Sequence, residues 1–264
     1  MPRENQSFLF RDDSRAISEV IQFSFILAIS FTFVFGSVVA AVGHLDGVAN
    51  DQSEQLSQDE LTNVQGSLYG TATNAPYQTA SVELTRTSLG YGDQGEVKIT
   101  VGAQGPSGSV EIMTVPAQPQ VLSSENNQIV VEHGAVIYDA GDGSSMVSPP
   151  RFEISQNRTI IPLFNTSKDG GLEQASGAQE VEVVSYQTNR TTAHLNPIVS
   201  GNDELADVEI TVESPRYLAW RNYFEDLDQV DSVTVNPDTE TVVATFQTHE
   251  IVMQDNEVGW RIDG

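Results

Sequence analysis

Ser14-Arg15-Ala16-Ile17-Ser18-Glu19-Val20-Ile21-Gln22-Phe23 opens the stretch that decides how this chain is organised. From Val20 to Gly43 no Lys, Arg, Asp or Glu occurs, and the run is rich in Phe, Ile and Val. At about 1.5 Å per residue a helix of this length spans roughly 35 Å, enough for a hydrocarbon core of about 30 Å. Lipid offers the backbone no hydrogen-bond partner, so a helix is the form predicted, with Ser14 or Asp13 as its cap. A cleaved secretory signal has a shorter apolar region of about 7–15 residues ending on small residues. Ala40-Ala41-Val42 resembles such an ending, but the length favours a retained span. Arg3, Arg11 and Arg15 precede the run, and no Lys or Arg follows it until Arg86. That asymmetry predicts a cytoplasmic N-terminus and an exterior C-terminal part.

Working outward, the apolar spacing after Gly43 stays helical: Leu45, Val48, Leu56, then Leu61, Val64 and Leu68 on one face. The reading is a helical stalk over 44–75, its helix ending near Tyr69-Gly70, with Gly70 and Pro76 as stop signals. From about Ala80 the period becomes two. Val82 and Leu84 alternate, as do Val97, Ile99 and Val101; Val110 and Ile112; and Ile129 and Val131. So do Val181 and Val183; Val208, Ile210 and Val212; Val242, Ala244 and Phe246; and Val258, Trp260 and Ile262. Such runs read as antiparallel strands with one buried face. His133-Gly134 and Asn236-Pro237-Asp238-Thr239 are hairpin turns, and Ser167–Gly177 is a loop between strands. One helix is expected in this region, with Ser214 as N-cap, Pro215 in the first turn, and Tyr217, Trp220, Phe224 and Leu227 on one face. The fold class predicted is α+β: a long N-terminal transmembrane and stalk helix, then an antiparallel, sandwich-like β-rich head with one short helix. The domains are a leader (1–16), a transmembrane helix (17–43), a stalk (44–75) and an exterior head (76–264).

The net charge is −25, from 37 acidic and 12 basic residues, and Lys98 and Lys168 are the only lysines. Such a charge repels itself at low ionic strength and is screened at molar salt, where the Debye length is about 3 Å. Acidity with lysine scarcity fits a high-salt exterior. It argues against nucleic-acid partners, whose phosphates need clustered Lys or Arg. Cysteine is absent, which excludes disulfides, thiolate metal sites and cysteine nucleophiles.

Arg15-Ala16-Ile17-Ser18-Glu19-Val20-Ile21 before a Phe/Ile/Val helix resembles the class III leader of archaeal type IV pilins and archaellins. That family's frequent Ser-Pro-Val-Ile-Gly is here Ser18-Glu19-Val20-Ile21-Gln22. The resemblance implies a prepilin peptidase cut after Ala16, with Arg15 as the preceding basic residue and Ile17 as the new N-terminus. In pilins an early Glu pairs with a neighbour's α-amino group; here Glu19 is the one acid at the helix start. Gly36 and Ala40, four apart, allow close helix approach and are assembly candidates, as are Gly43 and Gly47. Gly134-Ala135-Val136-Ile137-Tyr138, Ser148-Pro149-Pro150-Arg151-Phe152 and Tyr217-Leu218-Ala219-Trp220 resemble a haloarchaeal group of pilin-like membrane proteins with no assigned activity. The expected function is a pilin-like cell-surface protein in adhesion or a minor pilus role. Its partners would be membrane lipid, prepilin peptidase and other pilin-like subunits. The alternatives are a non-assembling anchored binding module and, less favoured, an anchored hydrolase.

Catalytic signals are thin, and the expectation is no enzyme, cofactor or metal. His44, His133, His194 and His249 are scattered without metal-ligand spacing. There is no Gly-x-Ser-x-Gly elbow, phosphate loop or His-Glu-x-x-His. Asp139-Ala140-Gly141-Asp142-Gly143 has oxygen ligands but lacks the Glu of a helix–loop–helix calcium site, and reads as a turn. Glu225, Asp226, Asp228 and Asp231 read as a solvated helix end that opposes the helix dipole, a conflict a cation would relieve. Tyr217, Trp220, Arg221, Tyr223 and Phe224 read as core packing, with a sugar or partner surface as the other reading. Asn157, Asn165 and Asn189 head sequons outside the membrane and are candidate glycan acceptors; Asn5 heads a fourth on the cytoplasmic side.

Overall fold

In the computed structural model the described residues are 58–73, 75–105, 108–124, 127–141, 143–195 and 205–264. The expected leader and span, with Arg15, Ala16, Ile17, Glu19, Gly36 and Ala40, lie outside them, and so does the segment 44–57. Among the described residues no helix is long and apolar enough to cross a membrane.

Helix α1 covers 58–73. Its Leu61, Val64 and Leu68 fall at helical spacing and are fully buried, so this part of the expected stalk is packed into the β body. The helix runs past the expected end at Tyr69-Gly70. Thr71 Oγ1 donates back to the Ser67 carbonyl at 2.9 Å, and Thr73 Oγ1 to the Tyr69 carbonyl at 2.8 Å. The Ala75 N–H then closes the end on the Gly70 carbonyl at 3.2 Å, and Pro76 stops it.

The strands are β1 (Tyr77–Leu84), β2 (Ser88–Tyr91), β3 (Val97–Gly105), β4 (Gly108–Ala117), β5 (Gln120–Ser123), β6 (Gln128–Glu132), β7 (Ala135–Asp139) and β8 (Ser144–Ser148). They continue as β9 (Thr159–Lys168), β10 (Gln174–Ser176), β11 (Gln179–Leu195) and β12 (Ala206–Glu213). Helix α2 (Tyr217–Glu225) precedes β13 (Ser232–Asn236), β14 (Thr241–Thr248) and β15 (Ile251–Asp263). They form three sheets, ordered β1-β11-β15-β9, β10-β2-β5-β6-β7-β8 and β13-β14-β12-β3-β4. The expected alternating runs all fall on strands, yet two expectations are corrected. Three sheets form rather than two faces of one sandwich, and β15 pairs β9 in parallel. A parallel pair needs a long connection, and the whole of β10 to β14 separates these two strands. The Ser167–Gly177 loop also contains β10, which extends the second sheet by pairing with β2.

Two cores result. The first packs the buried face of α1 against Val82, Leu84, Leu89, Leu122, Val131, Val183 and Trp260. The second joins Ile99, Val101, Ile210, Val212, Ala244 and Phe246 to Trp220 and Phe224 of α2. Strands β6 and β7 lie between them: Ile129, Val131 and Val136 face the first core, Ala135 and Ile137 the second. Their hairpin turns on His133 (φ 46°) and Gly134 (φ 77°), the two positive φ values of a type I′ turn. A Cβ at Gly134 would stand 2.5 Å from Tyr69 Oη and 2.9 Å from a Phe164 ring carbon, so the close packing of α1 on this turn requires glycine. Tyr69 Oη donates to the Gly134 carbonyl (3.2 Å) and accepts from the Arg151 N–H (2.8 Å), while Gln65 Nε2 reaches the same carbonyl at 2.7 Å.

Candidate functional site

The second sheet is covered on its outer face along only half its width. On β6 the side chains of Gln128, Val130 and Glu132 share that face, opposite Ile129 and Val131. Val130 and Glu132 are buried, Gln128 is exposed. The uncovered half is built by β10, β2 and β5. Ser176, Ser88, Ser123 and Gln128 align in one row across the ladder, and Gln174, Gly90 and Val121 in the next. Leu89, Leu122 and Ala175 point the other way, into the first core.

Above this floor is a cavity of about 360 Å³. Its walls are Tyr91, Gly92, Asp93 and Glu96 on one side, Glu173 on another, and Arg216 where the covered half begins. The rim loop after β2 is held at several points. The Gly92 N–H donates to the Pro119 carbonyl (2.9 Å), and Gln118 Nε2 donates to the Gly92 carbonyl (3.0 Å). Glu96 Oε2 accepts from the Asp93 N–H (2.9 Å). A Cβ at Gly92 would lie 2.4 Å from that carboxylate oxygen and 2.7 Å from the Pro119 ring, so a side chain would break the rim.

Arg216 is pinned from behind. Its Nε donates to Glu132 Oε2 at 2.7 Å and its Nη2 to Glu96 Oε1 at 2.6 Å, and its side chain is 4% exposed. Glu132, fully buried, also accepts from Ser214 Oγ (2.9 Å) and Trp220 Nε1 (2.5 Å). Burial works against the guanidinium charge, and Glu132 and Glu96 reverse that, holding Arg216 above its ordinary value. The expected N-cap is corrected here. Ser214 Oγ accepts from the Arg216 N–H (3.0 Å), so it shapes the turn before α2, and the capping position is Arg216. The same hydroxyl donates its proton to Glu132.

The residues singled out from sequence lie elsewhere. Asn157 is exposed in a bend before β9; Asn165 is half-buried inside β9; Asn189 is exposed at the register shift of β11, its Nδ2 3.0 Å from Glu257 Oε1. Asp139 ends β7, and its carboxylate accepts from the Gly141 N–H (3.0 Å), an ordinary turn bond. His133 is buried, His194 meets Glu250 at the surface, and His249 is half-buried; no group of potential metal ligands is brought together among the described residues. Trp220 and Phe224 are fully buried and pack with Phe152 and Tyr223, which is the core role expected of that cluster. Glu225, Asp226, Asp228 and Asp231 are exposed.

Neither Glu132 nor Arg216 stands out as a motif. The available signal is Glu132 inside Ile129-Val130-Val131-Glu132-His133-Gly134-Ala135-Val136-Ile137, where strand faces are apolar on both sides and an acid requires a buried cation.

Compared with known protein families, residues 15–258 match DUF7289, described as a family of unknown function. The chain belongs to that family. Its match runs from Arg15 through the apolar tract, the β body and most of β15, so tract and body recur as one unit in the family. No curated protein and no solved structure matches the chain.

Proposed function

We propose that this is a pilin-like surface protein, held in the membrane by the Val20–Gly43 helix and displaying the β body outside the cell for adhesion or as a minor pilus component. The observation that carries the reading is the extent of the family match, which begins at Arg15 and takes in the leader-like Arg15-Ala16-Ile17 and the apolar tract together with the body. Supporting it, the chain enters that body through α1, whose buried face ties the segment after the tract to the first core. A force on the anchor is then met by packed helix and sheet. The acidic composition suits a surface bathed in concentrated salt. The protein acts by binding, and the membrane, a prepilin peptidase and other pilin-like subunits are its partners.

Glu19 and Gln22 stand where pilin leaders frequently carry proline and glycine. This favours, as second reading, an anchored binding module that keeps its leader and does not assemble. Mass spectrometry of the protein from its native membrane separates the two. The pilin-like reading expects Ile17 as the mature N-terminus, and Arg15→Ala with Ala16→Leu to block the cut. An N-terminus upstream of Ala16 in unaltered cells overturns it in favour of the second reading.

A further inference from the structure

We propose that the open cleft on the second sheet is a carbohydrate-binding site that takes one or two uncharged sugar rings. The volume, about 360 Å³, is at the small end of ligand sites. The lining then decides the class of ligand. An anion is disfavoured, because Asp93, Glu96 and Glu173 outnumber Arg216 in the lining, and both nearby cations are already balanced, Arg216 by Glu132 and Glu96 and Lys168 by Glu173. A bare metal ion is disfavoured too, because both Glu96 oxygens are taken, one by Arg216 and one by the Asp93 N–H. An apolar ligand would find little beyond Val121, because the Tyr91 ring packs against the first core.

What remains is a molecule presenting many hydroxyls. The lining answers it with both kinds of partner: carboxylates that only accept, carboxamides of Gln128 and Gln174 that do both, and the Ser88 and Ser123 hydroxyls. Arg216 carries five N–H donors, and its Nε and Nη2 are committed to carboxylates, so donors remain at the cleft wall in a fixed plane. Gly90, lacking a side chain between Gln174 and Val121, keeps the floor flat enough for a ring to lie on it. Because the rim loop and Arg216 are braced before any ligand arrives, little ordering cost is added on binding.

The site does not depend on whether the leader is cut, so its test stands apart from N-terminal mapping. The full chain, in molar salt and a zwitterionic detergent without a sugar headgroup, is examined by saturation-transfer difference NMR. The probes are glucose, mannose, galactose and N-acetylglucosamine. At least one should receive saturation. Ser123→Trp, which fills the floor, should abolish that signal, and Glu173→Ala should weaken binding roughly tenfold. Glu173 is 86% exposed, so this variant tests the site without disturbing the fold even where Ser123→Trp does. Tyr77→Ala, outside the cleft, should leave binding unchanged. No transfer to any of the four sugars overturns the proposal, as does a signal that survives Glu173→Ala undiminished or persists in folded Ser123→Trp.

Discussion

Arg216 Nε lies 2.7 Å from Glu132 Oε2, a contact between residues 84 positions apart that joins the start of α2 to the middle of the second sheet. Both side chains are essentially withdrawn from water. A buried pair of this kind adds little over an apolar pair of the same shape, but removing one partner strands the other. Glu132→Ala should therefore cost about 3–5 kcal/mol, with a smaller loss for Glu132→Gln, which keeps an acceptor for Ser214 and Trp220. Replacing both, as Glu132→Leu with Arg216→Met, should recover much of that loss. Urea unfolding at molar salt measures all three, and the effect persists there because screening acts on exposed charges. A Glu132→Ala variant within 1 kcal/mol or so of the parent would show that the pair does not hold α2 in place.

His133 sets a pH dependence. Burial lowers its pKa from 6.5 to about 3, so the folded protein holds the ring neutral where the unfolded chain protonates it. Between those two values the unfolded state binds the extra proton. Stability is thus fully present above pH 6.5 and is lost as pH falls toward 3. From pH 6.5 to 5 the loss from this one group is about 2 kcal/mol. His133→Asn removes the titration and keeps a residue that tolerates the positive φ of the turn. Across urea midpoints at pH 7, 6 and 5, the parent should lose stability relative to the variant as the pH falls. Parallel pH profiles for the two proteins are the result that rules His133 out as the source.

The strands that sequence reveals and those it hides differ in a physical way. Val208, Ile210 and Val212 alternate because β12 exposes one set of positions and buries the other, and that difference is written into residue type. Strand β9 carries no such mark. After Thr159, Ile160-Ile161-Pro162-Leu163-Phe164 is apolar without a break, because Ile161 and Leu163 enter one core and Phe164 the other. Pro162, which argues against a central strand, is tolerated because β9 is the edge of its sheet. The cleft is hidden for another reason. Ser88, Gly90, Ser123 and Gln174 come from strands of only three or four residues, and each alone reads as turn chemistry. Only the register that aligns them makes a floor, and register between short distant strands is a property of the assembled sheet.

The packing of α1 into the β body is open to direct measurement. Leu68 is fully buried in the first core, on the same face as Leu61 and Val64. Leu68→Ala removes most of an apolar side chain from the first core, and a loss of about 2–5 kcal/mol is expected. Thr62→Ala, on the exposed face of the same helix, should stay within about 0.5 kcal/mol of the parent. Urea unfolding of the two variants side by side separates packing from helix propensity, since alanine favours the helix in both. A spacer that merely leads to the body would give two small effects. A helix that belongs to the body gives one large and one small, because only Leu68 lies on the face that carries Leu61 and Val64 into the first core.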